Sequence, residues 1–406
     1  MNEKEKLAIH GGLPVRGSYL PYGKQWITDD DIEEVVKVLR SDYLTTGPKI
    51  SEFEQKIAQY VGAKYAVTFS NGTAALHAAC FAAGIKEGDE VITTPITFAA
   101  SANCVLYTGG TPVFADIDPE TYNISPASIR KQITSKTKAL IPVDFTGQPA
   151  DLEEIQKIAK EHQLVVIEDG AHSLGAIYKG KQVGQIADMT MFSFHPVKHI
   201  TSGEGGVITT DNESYYDKLL QFRSHGITRD ASKLVEHHGP WYYEMQFLGY
   251  NYRMTDIQAA LGTSQMNRLE TFLRLRRKYV AKYNKAFENI EQIIIPKQLD
   301  DTNSSWHLYI IQLQLEKLTA GRKEIFEALI KENIGVNVHY SPVYLHPFYQ
   351  SLGYRKGLCP QAENLYEAMI TLPLFPAMTE EDVEDCIKAV QKVLSFYGKK
   401  NEIDIS

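Results

Sequence analysis

Residues 193–206 read SFHPVKHITSGEGG, and they lie between two apolar runs, Met189–Phe194 and Gly206–Thr210. Both runs predict strands, so Lys198 falls in the turn that joins them. The glycine-rich end of the turn allows the backbone to approach a ligand closely. A lysine in such a place often forms a Schiff base with a carbonyl group. This segment alone fits equally well a lysine that merely lies on a turn.

Upstream of this segment, short apolar runs rich in β-branched residues alternate with helical patterns. The predicted strands are Tyr65–Phe69, Glu90–Thr93, Pro112–Ala115, Ala139–Val143 and Val165–Ile167. The predicted helices are Thr73–Ala83, Thr97–Tyr107, Ser125–Ile133 and Asp151–His162. Strands that are apolar throughout and separated by helices are typical of a mainly parallel sheet flanked by helices. The predicted fold class is therefore α/β.

Downstream, a long helical pattern over Thr255–Phe287 leads into a mixture of strands and helices. The predicted elements of this part are a strand at His307–Leu313, a helix at Gly321–Glu332, a strand near Val336–His339 and a terminal helix at Glu380–Phe396. We predict two domains. The large domain covers residues 1–280 and includes the N-terminal segment, and a smaller α+β domain covers residues 281–406.

The composition excludes several classes of protein. Lys and Arg number 42 against 50 for Asp and Glu, a formal net charge of −8 that argues against a general nucleic-acid binder. The long uncharged stretches at residues 66–85 and 91–115 contain Asn, Ser, Thr and Gly throughout, so we expect no membrane segment. The four cysteines form no CxxC pair, and the twelve histidines show no metal-ligand spacing. We expect a cytoplasmic protein without a metal site.

A pair of carboxylates closes one of the predicted strands. Glu168 and Asp169 follow Val165–Ile167, at the edge where open parallel sheets hold their ligands. Asp169 is thus placed to face a cationic group, which in a pyridoxal phosphate enzyme is the protonated pyridine nitrogen. His172 could stack on that ring or bond its phenolic oxygen. A capping or core role explains His172 equally well.

A second polar cluster, Ser70–Thr73, follows the strand Tyr65–Phe69 and opens the next predicted helix. Its backbone N–H groups and the Thr73 hydroxyl form an anion site that fits a phosphate. Taken alone the signal is weak, because the same residue types cap many helices that bind no ligand. Phe98, at the next strand-to-helix junction, could lie flat against a ring, but an aromatic residue there is more often part of the core.

These motifs follow one another in the order and at the spacing of a known family. From about residue 20 to its C-terminus the chain resembles the nucleotide-sugar aminotransferases typified by DegT and StrS. The motifs that carry the resemblance are Ser70–Thr73, Thr94–Phe98, Glu168–His172, Ser193–Lys198, Gly203–Gly206 and Gly249–Met254. The resemblance implies an aspartate-aminotransferase-like fold (fold type I) and pyridoxal 5'-phosphate as cofactor. It also implies a homodimer whose active sites are shared across the interface.

The resemblance assigns roles to individual residues. The family's Schiff-base lysine falls on Lys198, and the carboxylate that faces the pyridine nitrogen falls on Asp169. His172 matches the residue beside the cofactor's ring oxygen, and we expect these three residues to be catalytic. The remaining cofactor-binding positions are Gly72, Thr73 and Ser193 for the phosphate, Phe98 for stacking on the ring, and Asn251, which reaches the phosphate from the partner subunit.

Within the family, the chain most resembles the branch that forms UDP-4-amino-4,6-dideoxy-N-acetyl-β-L-altrosamine for pseudaminic acid. Such enzymes take the amino group of L-glutamate onto the cofactor as pyridoxamine phosphate and pass it to C4 of a UDP-4-keto-6-deoxy-N-acetylhexosamine. The resembling pieces are residues 194–201, 222–226 and 338–344. By this resemblance the substrate contacts are Tyr22, Tyr43, Leu44, Thr45, Asn337, Val338, His339 and Tyr340.

Other readings remain open at this point. The segment 229–247 is longer than the family pattern, which leaves open a transaminase for another nucleotide-linked 4-keto sugar, carried by dTDP, GDP or UDP. A 3-dehydratase on the same scaffold is disfavoured, because the dehydratases that resemble this chain have histidine where it has Lys198. A regulatory protein that binds the cofactor without turnover is a further alternative, although the sequence shows no DNA-binding module.

Overall fold

The computed structural model describes residues 6–399. Residues 1–5 and 400–406, the outer ends of the two predicted domains, lie outside the described residues. The largest sheet has seven strands: β1 Tyr65–Phe69, β2 Glu90–Thr93, β3 Thr111–Phe114, β4 Thr137–Ile141, β5 Val165–Asp169, β6 Met189–Ser193 and β7 Gly206–Thr210. Their order across the sheet is β1-β7-β6-β5-β4-β2-β3. Strand β7 runs antiparallel to both its neighbours, and the remaining neighbouring pairs are parallel.

Helices cover both faces of this sheet. Successive residues of each strand point to opposite faces, so both faces carry apolar side chains that pack in a core. On one face, Val67, Ile167 and Ile208 pack in a core with three helices, α3 Gly72–Ala82, α4 Ala100–Tyr107 and α7 Glu213–Phe222. On the other face, the neighbouring residues Ala66 and Val166 belong to two further cores. The helices of that side are α2 Pro48–Val61, α5 Pro126–Gln132, α6 Leu152–His162 and α8 Asp256–Met266. The predicted α/β fold class is confirmed.

The C-terminal part has its own antiparallel sheet. Its strands are β8 Ile293–Ile294, β9 Tyr309–Leu313 and β10 Met369–Leu372, in the order β8-β9-β10. The other helices of the described chain are α1 Asp29–Leu39, α9 Leu269–Phe287, α10 Arg322–Lys331, α11 Pro347–Ser351, α12 Pro360–Ala368 and α13 Glu380–Tyr397. Leu7 and Leu20 pack in the same core as this sheet. The first described residues therefore contact the C-terminal part, and the division at residue 280 stays a prediction.

Two sequence-based expectations about local structure are wrong. The helical pattern over residues 255–287 forms two helices, because Arg268 leaves the helical conformation (φ −111°, ψ 1°). From there its guanidinium pairs with the buried carboxylate of Asp31. The strand expected near residues 336–339 is reduced to one isolated bridge between Asn337 and Thr371. His339 and Tyr340, which follow this bridge, lie on the wall of a cavity.

The segment 229–247 forms an exposed extension. At its base Ile227–Thr228 pairs with Glu244–Met245, and the expected loop over residues 237–241 lies between them. The side chains of Val235 and Trp241 are 88% and 72% exposed. No helix between residues 6 and 399 combines the length and the apolar character needed to cross a lipid bilayer.

Candidate active site

A cavity of about 730 Å³ lies at the carboxyl end of the central strands of the large sheet. Parallel strands bring their carboxyl ends to the same edge, so the residues that end β5 and β6 lie side by side there. Asp169 ends β5, Ser193 ends β6, and Lys198 lies in the turn between β6 and β7. The volume is in the range of small-molecule and cofactor sites. The residues that the predictions single out on its wall are Tyr22, Gly72, Thr73, Phe98, Asp169, His172, Ser193, Lys198, His339 and Tyr340.

Lys198 presents the only lysine or arginine side chain on the described cavity wall. Its backbone N–H donates to the carbonyl of His195 at 2.9 Å, which closes the turn. Burial lowers the pKa of the Lys198 amine to about 8, while the charge of Asp169 acts in the opposite direction. An amine with this pKa is partly neutral near neutral pH, which is the state required of a nucleophile or a proton acceptor.

Asp169 is buried and held by two hydrogen bonds. Its Oδ2 accepts from Ser101 Oγ at 2.6 Å, and its Oδ1 accepts from the Ala171 N–H at 3.1 Å. Ser101 Oγ is also 2.7 Å from Thr97 Oγ1. Burial raises the pKa of Asp169, and the bond from Ser101 lowers it. A carboxylate supported in this way can face a cation of a ligand without relaxing toward solvent.

The start of helix α3 forms the anion site that the sequence predicts. Asn71 Oδ1 accepts from the Ala74 N–H at 2.8 Å, which leaves the first two amides of the helix, those of Gly72 and Thr73, without an intrahelical acceptor. A methyl group added at Gly72 would lie 3.5 Å from Ser193 Oγ. The helix start and the Ser193 hydroxyl thus lie beside each other and can bind one phosphate together.

Aromatic side chains form another part of the wall. His172 is buried, and its Nε2 lies 3.4 Å from the Tyr340 hydroxyl oxygen. Its Nδ1 is buried and has no hydrogen-bond partner among the described residues. Burial lowers the pKa of His172 well below its usual value, so the ring is neutral. Phe98 is 62% exposed on the cavity wall, which leaves a ring face available for stacking.

The fit of these residues to pyridoxal phosphate can be judged from their chemistry. The cavity offers an amine for the aldehyde, a supported carboxylate for the pyridinium and a pair of free helix amides for the phosphate. The unpartnered His172 Nδ1 is a buried polar atom whose hydrogen bond a ligand can complete. The residues present therefore fit the cofactor. Between residues 6 and 399 there is no group of three or more His, Cys, Asp or Glu side chains suited to a metal ion.

Several predicted site residues do not line the cavity of the single chain. Tyr43, Leu44 and Thr45 are exposed between helices α1 and α2. Asn337 and Val338 precede the cavity residues His339 and Tyr340 but are not themselves on its wall. Asn251 is exposed, and its backbone bridges to Ser224. Their roles, like the roles of the residues that do line the cavity, stay predictions.

The sequence analysis missed several residues of the cavity wall and one, Ser101, that lies buried behind it. Ser101 binds the carboxylate of Asp169, and His307 Nε2 lies 3.5 Å from Lys198 Nζ. His307 begins the otherwise apolar predicted strand at residues 307–313. A polar residue in that position could have indicated a role in the site. For Ser101 the only signal was its place four residues after Thr97 at the start of a predicted helix. Other polar wall residues of this kind are His195, Glu204 and Tyr252.

The sequence matches the model of the DegT/DnrJ/EryC1/StrS aminotransferase family over residues 25–391. One relative is the spore coat polysaccharide biosynthesis protein SpsC of Bacillus subtilis, 43% identical over 381 residues, which cover 93% of this chain and 98% of SpsC. Another is the UDP-4-amino-4,6-dideoxy-N-acetyl-β-L-altrosamine transaminase of Campylobacter jejuni, 38% identical over 368 residues, 90% of this chain and 95% of the relative.

Solved structures agree with these relatives. PseC of Helicobacter pylori, an aminotransferase involved in the biosynthesis of pseudaminic acid, superposes with a TM-score of 0.88 at 33% identity, over 94% of this chain and all of PseC. Spr1654 of Streptococcus pneumoniae in its PLP form gives a TM-score of 0.87 at 32% identity, over 93% of this chain and 99% of Spr1654. The chain belongs to the DegT/DnrJ/EryC1/StrS aminotransferase family. The predicted family, enzyme class and pyridoxal phosphate cofactor are confirmed.

Proposed function

We propose that this aminotransferase transfers an amino group from L-glutamate to C4 of a UDP-4-keto-6-deoxy-N-acetylhexosamine. The product would be UDP-4-amino-4,6-dideoxy-N-acetyl-β-L-altrosamine, a precursor of pseudaminic acid-type surface glycans. The proposed substrate rests on one observation, the 38% identity, over nearly the whole length of both chains, to the Campylobacter enzyme named for this product. The likeness to PseC supports the same branch of the family.

In this proposal seven residues of the cavity hold the cofactor. Lys198 Nζ binds its aldehyde carbon, and Asp169 faces its pyridine nitrogen. The amides of Gly72 and Thr73 and the hydroxyl of Ser193 hold its phosphate. Phe98 and His172 lie against its ring and ring oxygen. When bound, pyridoxal phosphate supplies an electron sink that allows a proton to leave the carbon next to the transferred amine.

Lys198 is proposed to move that proton. Its amine is tethered inside the cavity, so it stays within reach of the carbons that exchange the proton in both halves of the reaction. Because burial lowers its pKa to about 8, Lys198 Nζ can take up and release a proton near neutral pH. Asp169 keeps its charge at a fixed place because Ser101 and Ala171 hold both carboxylate oxygens.

The sugar nucleotide is proposed to enter on the side of Tyr22, His339 and Tyr340, which line the cavity of this chain. Lys198 is the only lysine or arginine on the described wall, so a diphosphate requires further cations from outside this wall. A homodimer with shared sites fits this requirement and the exposed position of Asn251, which would serve the partner's cofactor. The four cysteines, all unpaired and buried, support the predicted cytoplasmic setting.

A transaminase for another nucleotide-linked 4-keto sugar is the second candidate. It is favoured by the 43% identity to SpsC, which is named for spore coat polysaccharide rather than for pseudaminic acid. The aromatic extension at residues 229–247 also departs from the family pattern, and this would suit a different sugar or nucleotide.

The test compares substrates on one enzyme preparation. The protein, loaded with pyridoxal phosphate and L-glutamate, is incubated with UDP-, dTDP- and GDP-linked 4-keto-6-deoxy sugars, and the amino sugar products are quantified by mass spectrometry. We expect the highest kcat/KM with the UDP-4-keto-6-deoxy-N-acetylhexosamine and an amino group at C4. Preference for a dTDP- or GDP-sugar would favour the second candidate, and no amino transfer to any of them would contradict both.

A further inference from the structure

His307 lies on the cavity wall beside the amine of Lys198. Its Nε2 lies 3.5 Å from Lys198 Nζ, at the long end of hydrogen-bond distance. It is buried, and its ring lies 4.4 Å from the ring of His172 between centroids. Its Nδ1 is buried and has no hydrogen-bond partner among the described residues. The one polar contact of this imidazole within the described chain is therefore with Lys198.

The backbone at His307 is fixed by a buried arginine. Arg276, on helix α9, is 1% exposed, and its Nη1 donates to the carbonyls of Trp306, His307 and Leu374 at 3.2, 3.1 and 2.9 Å. No carboxylate of the described chain pairs with its guanidinium, so backbone carbonyls stabilise the charge. A buried charge that has only these partners fixes their positions closely, because any shift would leave it unsolvated.

A second set of contacts holds the same short segment against the large sheet. Ser305 Oγ donates to the carbonyl of His172 at 2.8 Å, and the Leu308 N–H donates to the carbonyl of Thr146 at 3.2 Å. The residues on both sides of His307 are thus tied to the loop that follows β5 and to the segment that follows β4. The backbone that carries the imidazole therefore has little freedom to move away from Lys198.

We propose that His307 is a positioning residue for Lys198, whose amine donates a hydrogen bond to His307 Nε2 and is thereby held inside the cavity. An ammonium or amine nitrogen always has N–H groups to donate, whereas the neutral imidazole has one free acceptor. Burial and the neighbouring charges keep the pKa of His307 well below its usual value, so this acceptor stays available. The proposal rests on the proposed amino transfer, because positioning matters when Lys198 moves the proton.

Two charged groups also act on Lys198: Asp169 favours its charged form, and Arg276 disfavours it. The neutral histidines His172, His199 and His339 lie near Lys198, and its charge lowers their pKa values. His199 is the useful comparison. Its ring lies 5.6 Å from that of His307, but its Nε2 bonds the carbonyl of Ser305 rather than Lys198.

The experiment measures the amine of Lys198 without any substrate. In the cofactor-free full-length protein, the pH dependence of Lys198 acetylation by acetic anhydride is followed by mass spectrometry of the peptide that contains it. If His307 accepts a hydrogen bond from the ammonium, His307→Leu should lower the labelling midpoint by about 1 pH unit. His307→Gln, which keeps an acceptor oxygen near the position of Nε2, should stay close to the parent. His307→Met replaces the leucine variant if that variant does not fold.

The same variants are then loaded with cofactor and assayed for amino transfer. We expect His307→Leu to lose about 10- to 100-fold in kcat with little change in KM, because the amine is misplaced while the substrate sites are intact. His307→Gln should recover most of kcat, and the control His199→Gln should match the parent in labelling midpoint. An unchanged or raised midpoint in the leucine variant, or a glutamine variant as impaired as the leucine variant, would overturn the proposal. Because labelling needs no sugar, a wrong sugar substrate would leave this result unaffected.

Discussion

The inner end of the cavity and the exposed residues of the chain are built in different ways. At the inner end, Asp169 is 4% exposed and both its oxygens accept hydrogen bonds from groups of the same chain. Away from the cavity wall, Tyr43 and Leu44 are 55% and 49% exposed, and Trp241 of the extension is 72% exposed. The Asp169 carboxylate finds its partners within one chain, whereas these exposed positions present aromatic and apolar side chains that another molecule can cover. The difference predicts large effects on chemistry at the inner end and small effects at the exposed positions.

The largest effect is expected from Lys198→Ala. Without its amine the cavity loses the nucleophile for the cofactor aldehyde and the proposed proton carrier, so turnover should fall by at least roughly 10³-fold. The visible absorbance band of lysine-bound cofactor should also be absent. Both are measured on protein supplied with excess pyridoxal phosphate. A variant that keeps the band and still transfers amino groups would contradict the assignment of Lys198.

Asp169→Asn should have the next largest effect. The substitution keeps the shape of the side chain but removes the charge that faces the pyridine nitrogen, and losing one preorganised charge contact costs about 10²- to 10³-fold in kcat. Because the charge of Asp169 raises the pKa of Lys198, the acetylation midpoint of Lys198 in the cofactor-free protein should also move down. A variant with near-normal kcat would mean that the pyridine nitrogen needs no carboxylate here.

Ser101→Ala removes the hydrogen bond that Ser101 donates to the Asp169 carboxylate. The loss should lower kcat/KM about tenfold at neutral pH. The Ser101 hydrogen bond lowers the pKa of Asp169, so its loss should raise this pKa and shift the acidic limb of the pH profile upward. Activity would then fall at higher pH than in the parent as the solution is acidified. The pH dependence of kcat/KM measures this shift.

A matched control for this variant is Ser173→Ala. Ser173 Oγ also donates to a buried carboxylate at 2.6 Å, that of Asp144, which does not line the cavity. Its loss should cost about 1–3 kcal/mol of the free energy of unfolding and leave the acidic limb in place. If both serine variants shifted the acidic limb of the pH profile equally, the shift could not be assigned to the hydrogen bond between Ser101 and Asp169.

The smallest effect is expected at an exposed position, from Asn251→Ala. If Asn251 of one subunit reaches the phosphate in its partner, the cofactor dissociation constant should rise about 5- to 10-fold, the cost of one ordinary hydrogen bond at an exposed position. The melting temperature of the cofactor-free protein should hardly change, because Asn251 is exposed. Asn289→Ala, another exposed asparagine, is the control. Unchanged cofactor affinity in the Asn251 variant would argue against the shared site.

The inner end was also the part that the sequence predicted best. Lys198, Asp169 and the start of α3 each lie at or soon after the end of a strand whose apolar pattern is plain, and strand ends of one sheet meet at one edge. The position of each residue relative to its own strand therefore indicated that the three lie close together. The antiparallel direction of β7 was not predicted from pattern, because an apolar strand has the same composition in either direction.

Long-range and intermolecular contacts set the limit of prediction. Ser101 and His307 reach the site from 68 and 109 residues away from their partners, Asp169 and Lys198, and no local pattern encodes such a pairing. Where a strand was expected near residues 336–339, only Asn337 forms a bridge, and its partner Thr371 lies in β10. No local pattern identifies such a partner. The proposed role of Asn251 depends on a second subunit and so cannot follow from the fold of one chain.

An absorbance titration of the purified enzyme tests the central claim most directly. The visible band of lysine-bound pyridoxal phosphate should disappear when L-glutamate is added, as the amino group passes to the cofactor. It should return when UDP-4-keto-6-deoxy-N-acetylhexosamine is added, with UDP-4-amino-4,6-dideoxy-N-acetyl-β-L-altrosamine as the product. A band that disappears with glutamate but does not return with this ketone would contradict the proposed sugar substrate.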